Sequence, residues 1–196
     1  MGSHLPQALP APLPPPADPQ RLDALAADLR AAGMEPLRGA GPLAGLAADG
    51  FVYSPVLQPL LQGLAPQLGV RAQSAEQVRQ VAAACARHGV SLTLRGAGTG
   101  NYGQAVPLAG GLVLELSGLT RLRSLDPHTG VFTAEAAMPL AELEQRLQAQ
   151  GREPRLLPST VRSASLAGYV AGGSSGIAPS NSSTSTTPSQ PKCKHC

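Results

Sequence analysis

The chain has 196 residues and a net charge of +3 from 15 basic and 12 acidic side chains, which is room for one ordinary domain and no excess of charge for a polyanion. Aromatics are 3% with no Trp, too few rings for a single-strand stacking platform, and three Cys cannot build a disulfide scaffold. A hydrophobic fraction of 42% argues against wholesale disorder, and no apolar run reaches the roughly 18 residues that a membrane-spanning helix needs. No charged segment followed by an apolar core opens the chain, which predicts a cytoplasmic protein.

In chain order, the proline-rich segment 1–19 reads as a disordered leader. Leu22, Leu25 and Leu29 form the stripe of a helix over 20–32 closed by Gly33, and 35–66 is Gly- and Pro-rich and irregular. A strand is expected at 68–72. Ser74 and Gln77 have the capping-box spacing for a helix with Val78, Val81, Ala82 and Cys85 on its apolar face, closed by His88 and Gly89. Strands follow at 91–95, with Leu92 and Leu94 on one face, and at 111–116, 122–125 and 131–135. The last two are joined by a turn at 126–130. Pro139 is expected at N1 of a helix carrying Leu140, Leu143 and Leu147, and a short helix or turn at 165–170. The pattern is α+β, not the strict alternation of a doubly wound sheet.

The most informative segment is Arg95-Gly96-Ala97-Gly98-Thr99-Gly100-Asn101-Tyr102-Gly103-Gln104. Closely spaced glycines expose bare backbone N–H groups and permit the positive φ angles of an anion nest, with a diphosphate as the natural guest. Gly98-x-Gly100-x-x-Gly103 also matches the dinucleotide fingerprint, but that motif must open a helix, and Pro107 and Gly110-Gly111 stop one. No Gly-Lys-Ser/Thr exists for a Walker loop. A purely structural glycine turn between two strands stays open on the residues alone.

The run RGAGTGNYGQAVPLAGGLVLEL resembles the FAD-binding domain of the vanillyl-alcohol oxidase family, the p-cresol methylhydroxylase (PCMH) type that includes glycolate oxidase D-type flavoproteins. The preceding helix at 75–88, the segment VFTAEAAMPLAELEQRLQAQG, and Pro158-Ser159-Thr160 followed by Ser165-Leu166-Ala167-Gly168 fit the order of its motifs over 68–177. The resemblance implies that 95–104 line the FAD diphosphate. It also puts Pro158, Ser159, Thr160, Ser165, Leu166 and Gly168 near the flavin, its ribityl chain or the diphosphate. Members with a covalent histidyl flavin carry His where this chain has Thr99, which implies noncovalent FAD. Two places depart from the pattern: Ala167 stands for a glycine, and Ala136-Ala137 for Ala-Gly.

The implied activity is flavin-dependent oxidation of a small hydroxy acid or alcohol by a parent enzyme, with a small-molecule substrate, no nucleic acid and no membrane span expected, and weak or no turnover by this truncated chain alone. The alternatives are a non-catalytic FAD module, a non-functional fragment, and an enolpyruvylglucosamine reductase-like flavoprotein. The expected organisation is the leader 1–19, a helix and irregular lead-in 20–66, the N-terminal part of a PCMH-type FAD domain 67–178, and a disordered Ser/Thr-rich tail 179–196. Both lysines, Lys192 and Lys194, fall in that tail of a chain whose other basic residues are Arg, which points to a frameshift or premature stop that has replaced the rest of a longer flavoenzyme; the rival reading is a natural short protein with a disordered tail. Cys85 reads as core, His88 as a helix-end group and His128 as a solvated turn residue. Cys193, His195 and Cys196 lack a fourth ligand and a scaffold, so no metal is expected.

Overall fold

The computed structural model describes residues 12–173. They divide after Gly118 into two compact units. His4, the tail 179–196 and its Cys193–Cys196 cluster lie outside the described residues.

The first unit opens on α1 (Pro19–Ala31). Asp18 caps it, its side chain accepting from the Gln20 N–H, and Pro19 fills N1, where no N–H is needed. Thus the end of the expected leader belongs to the folded chain: Ala17 exchanges two backbone hydrogen bonds with the Gln67 side-chain amide. Leu22, Leu25 and Leu29 are buried as their spacing requires.

The segment that reads as irregular holds three short helices: α2 (Ala40–Ala44), a 3₁₀ helix (Gly50–Tyr53) and α3 (Gln58–Leu61). Next come β1 (Leu68–Arg71), α4 (Ala75–His88), β2 (Leu92–Arg95) and β3 (Leu112–Glu115). The three strands form a parallel sheet in the order β1-β3-β2. Side chains alternate across its central strand. Leu112 and Leu114 enter a core with α1 and α4, while Val113 meets Leu43 and Leu46 on the opposite face. On that face Gly69 of β1 gives room to Leu46 and Leu43, and its backbone pairs with Leu37, which covers the strand's outer edge.

Four details of this unit differ from expectation. The buried face of α4 carries Ala84 with Val81 and Cys85, whereas Ala82 is exposed, because the stripe turns toward α1. Ser74 accepts from the Gln77 N–H as a cap should, but the Gln77 side chain reaches the Gln73 N–H, one residue before the cap. His88 does not cap its helix. Its Nε2 lies 2.9 Å from Asp28 Oδ2, which also takes a bond from Arg87, and a left-handed Gly89 ends the helix instead. Leu94 shares a strand face with Leu92 yet is 54% exposed on the outer strand β2.

The second unit holds β4 (Leu122–Leu125) and β5 (Phe132–Ala134), an antiparallel pair, then α5 (Leu140–Gln148) and α6 (Leu166–Ala171). The turn between the strands is tied by Asp126, whose carboxylate accepts from the N–H groups of His128 and Thr129 and from the Thr129 hydroxyl. Pro139 stands at the N-cap of α5, one position before the expected N1. Leu140, Leu143 and Leu147 pack with Met138 and Ala164. Glu135 is buried and accepts from the Arg121 backbone and the guanidinium groups of Arg121 and Arg123.

Candidate functional site

In parallel sheets, ligands gather at the C-terminal ends of the strands. β2 ends at Arg95, and the glycine loop begins there. Residues 96–106 form bends and turns, not a helix, so the dinucleotide fingerprint lacks the element that would face a pyrophosphate.

Three glycines of the loop leave room for neighbouring side chains, and two of them take positive φ. Gly98 has φ +67° and a Cβ there would overlap the Arg95 guanidinium; Gly103 has φ +80° and a Cβ would lie 2.6 Å from Leu61 Cδ1. At Gly100 a Cβ would come within 2.5 Å of Gln104 Oε1, which accepts from the Tyr102 N–H. Tyr102 itself is 74% exposed.

Among the described residues, the backbone N–H groups of 96–101 donate to no protein acceptor. Arg95 stands at the head of this run. Its Nη1 donates to the Ala48 carbonyl at 2.8 Å, and it makes no ion pair with a carboxylate among the described residues. Free N–H dipoles beside an unneutralised guanidinium are the elements of an anion cradle. They suit a diphosphate, and the positive φ at Gly98 and Gly103 gives the loop a conformation that residues with a Cβ rarely adopt.

The loop is held from behind by residues that sequence reasoning did not single out. Ala48, Asp49 and Gly50 bond to its start, its end and its middle respectively. The Asp49-Gly50 turn dipeptide was the only local signal, and it says nothing of a partner some fifty positions away. Phe51, Leu61 and Val106 form a small apolar cluster under the far end of the loop.

In the second unit, Pro158 is buried, while Ser159 and Thr160 are exposed on a turn closed by the Val161 N–H to the Pro158 carbonyl and the Ala164 N–H to the Thr160 carbonyl. The Ser159 and Thr160 N–H groups have no acceptor among the described residues. Ser165 is 5% exposed and precedes α6, with its Oγ lying 3.0 Å from where a Cβ on Gly168 would stand. Leu166 packs on the α5 cluster. The two departures from the family pattern meet here: the Ala167 N–H donates to the Ala136 carbonyl at 2.9 Å. The Leu166 N–H donates to Met138 and the Leu140 N–H to Ala164, so the alanines sit within a continuous backbone pairing.

The Cys85 thiol is buried against α1, and burial pushes its pKa up to about 11, so it behaves as a small apolar group. His128 is exposed in its turn. No helix among the described residues is long and apolar enough to cross a membrane. No cluster of three metal-ligating side chains occurs among them.

Residues 66–185 match the FAD binding domain family. A D-lactate dehydrogenase of Anaerostipes hadrus is 30% identical over 86 residues, which is 44% of this chain and 18% of that protein. Two solved structures share the fold at 19% identity. An alkyldihydroxyacetonephosphate synthase matches with a TM-score of 0.69 over 83% of this chain and 30% of its own. A p-cresol methylhydroxylase with substrate bound matches with a TM-score of 0.64 over 81% of this chain and 31% of its own. The chain thus spans less than a third of the length of each of these three proteins. It belongs to the FAD binding domain family, with the fold of the PCMH type.

Proposed function

We propose that this chain is the diphosphate-cradling part of a cytoplasmic flavin-dependent oxidoreductase acting on a small hydroxy acid or alcohol. The observation that carries this reading is the run of N–H groups at 96–101 with no protein acceptor, headed by Arg95. These N–H groups bind the diphosphate oxygens, and Arg95 offsets their charge. Thr99 and Gln104 flank the bound anion. By the family resemblance, Pro158, Ser159, Thr160, Ser165, Leu166 and Gly168 serve the flavin side of the cofactor. Thr99 offers no imidazole for a covalent link, so FAD is held noncovalently. When bound, FAD supplies the two-electron oxidation of the substrate and passes the electrons to an acceptor. We assign no catalytic base to this chain. The D-lactate dehydrogenase match supports a hydroxy acid as the substrate class.

A second reading, a cofactor module with little or no turnover of its own, is favoured by the short span of the relatives that the chain covers. The test is a visible absorption spectrum of the purified chain, alone and after addition of FAD, followed by heat precipitation. Flavin bound and then released into the supernatant is expected. Failure to bind added FAD refutes the assignment, and flavin remaining on the precipitate refutes the noncovalent mode. Dye reduction with D-lactate or glycolate at the rate of a complete flavoenzyme refutes the module reading.

A further inference from the structure

Three consecutive residues outside the glycine loop touch it at three places. The Ala48 carbonyl accepts from Arg95 Nη1, where the loop begins. The Gly50 N–H donates to the Gly100 carbonyl at 2.6 Å, in its middle. Asp49 Oδ2 accepts from the Ala105 N–H at 3.3 Å, just past its end. Asp49 Oδ1 meanwhile accepts from the Phe51 N–H at 2.9 Å and caps the 3₁₀ helix. That helix is anchored in turn by Phe51, 3% exposed against Leu61 and Val106.

Asp49 is one of the few buried polar residues of the described chain, at 7% exposure. A buried carboxylate is costly unless its lone pairs are used, and here one oxygen serves the helix cap and the other serves the loop. The Gly100 carbonyl is turned back toward Gly50, so the Asn101 N–H of the same peptide unit points the opposite way. A loop of glycines has many conformations of similar energy, and binding an anion to it costs the entropy of choosing one. Fixing it beforehand at its start, middle and end removes much of that cost.

We infer that Ala48-Asp49-Gly50 is a preorganising brace for the glycine loop, and that Asp49 is a positioning residue for FAD although it lies outside the cradle. The inference rests on the proposed assignment of the loop to FAD. It concerns affinity, and Asp49 itself touches neither cofactor nor substrate.

The test compares the full chain with D49S and with G50A. A serine at 49 keeps an oxygen for the Phe51 N–H but is too short to hold the Ala105 N–H as well, so the helix cap survives and the loop contact does not. In G50A, both Asp49 bonds survive, while the new methyl stands 2.8 Å from the Gly100 carbonyl and pushes the loop. Flavin-fluorescence titration with FAD is expected to give a dissociation constant raised roughly tenfold to a hundredfold in each variant. Melting temperatures are expected near that of the parent. Amide hydrogen exchange without FAD is expected to quicken in D49S at Tyr102, Ala105 and Val106, the hydrogen-bonded amides of the loop and its end. An FAD affinity in D49S equal to the parent's overturns the role of Asp49, as does unchanged exchange, because a residue that merely caps the 3₁₀ helix gives both. If G50A alone leaves affinity unchanged, the middle contact of the brace is overturned. A parent chain that does not bind FAD overturns the inference together with the reading beneath it, and the exchange data then report the brace as purely structural.

Discussion

Replacing Gly98 with alanine separates a loop shaped by its backbone from one that merely tolerates glycine. The residue has φ +67°, where an L side chain costs about 1–2 kcal/mol. The added Cβ would also overlap the Arg95 guanidinium. That group is the mobile end of a long side chain, so rotation relieves the overlap itself. What is lost is its hydrogen bond to the Ala48 carbonyl, worth about 1 kcal/mol. The two costs together come to about 2–3 kcal/mol, and both fall on the shape of the loop. If the loop relaxes locally, the loss appears as FAD affinity, weakened roughly thirtyfold to a hundred-and-fiftyfold. If it does not, the melting temperature falls by about 4–12 °C for a chain of this size. The control is Gly41→Ala: Gly41 lies in α2 with nothing within 4 Å of a new Cβ and an ordinary φ. Flavin-fluorescence titration and thermal unfolding of the three proteins at one pH provide the measurements. G98A matching G41A in both affinity and melting temperature would refute the claim that the loop's conformation makes the cradle.

Four further outcomes are expected. Leu114→Ala empties a fully buried position of the central strand and should cost about 2–5 kcal/mol, read as a lower urea midpoint with an unchanged slope. Ser74→Ala removes the acceptor for the Gln77 N–H and should cost about 1 kcal/mol by the same assay. Cys85, with its thiol pushed up to about 11 by burial, should resist iodoacetamide at pH 8 until the chain is unfolded, as followed by peptide mass mapping. Burial works to raise the Glu135 carboxyl, but the Arg121 backbone and side-chain hydrogen bonds and the charges of Arg121 and Arg123 outweigh it and hold the group below the ordinary glutamate value. Its folded-state pKa is therefore the lower one. Its stabilisation is complete above the unfolded value of roughly 4.3 and is lost as pH falls through the folded value. Urea midpoints measured down to about pH 3 should decline less steeply for Glu135→Gln than for the parent, and parallel declines would contradict the linkage.

What could be read from the sequence follows from how local each cause is. The stripes Leu22-Leu25-Leu29 and Leu140-Leu143-Leu147 place their own burial, because a helix that long has one apolar face wherever its neighbour lies. The same rule put Ala82 on the apolar face of α4, where the structure covers Ala84 instead. Both flank the line of Val81 and Cys85, and only the position of α1 settles which is covered. Residues 35–66 were opaque because their helices run four or five residues, too short to display a period. Yet they supply Leu43 and Leu46 to one face of the sheet. The glycine loop was legible for the opposite reason: a chain that must take positive φ at Gly98 and Gly103 declares it in its residue types. Its brace was not legible, since Ala48 and Gly50 act through backbone atoms that every residue carries, and Asp49 acts on a partner 56 positions away. A motif thus reports the freedom of a loop, while the residues that remove the freedom lie elsewhere and carry no motif. It follows that a chain retaining every glycine of the loop but altered at Asp49 should still be recognised by its sequence and yet bind its anion poorly.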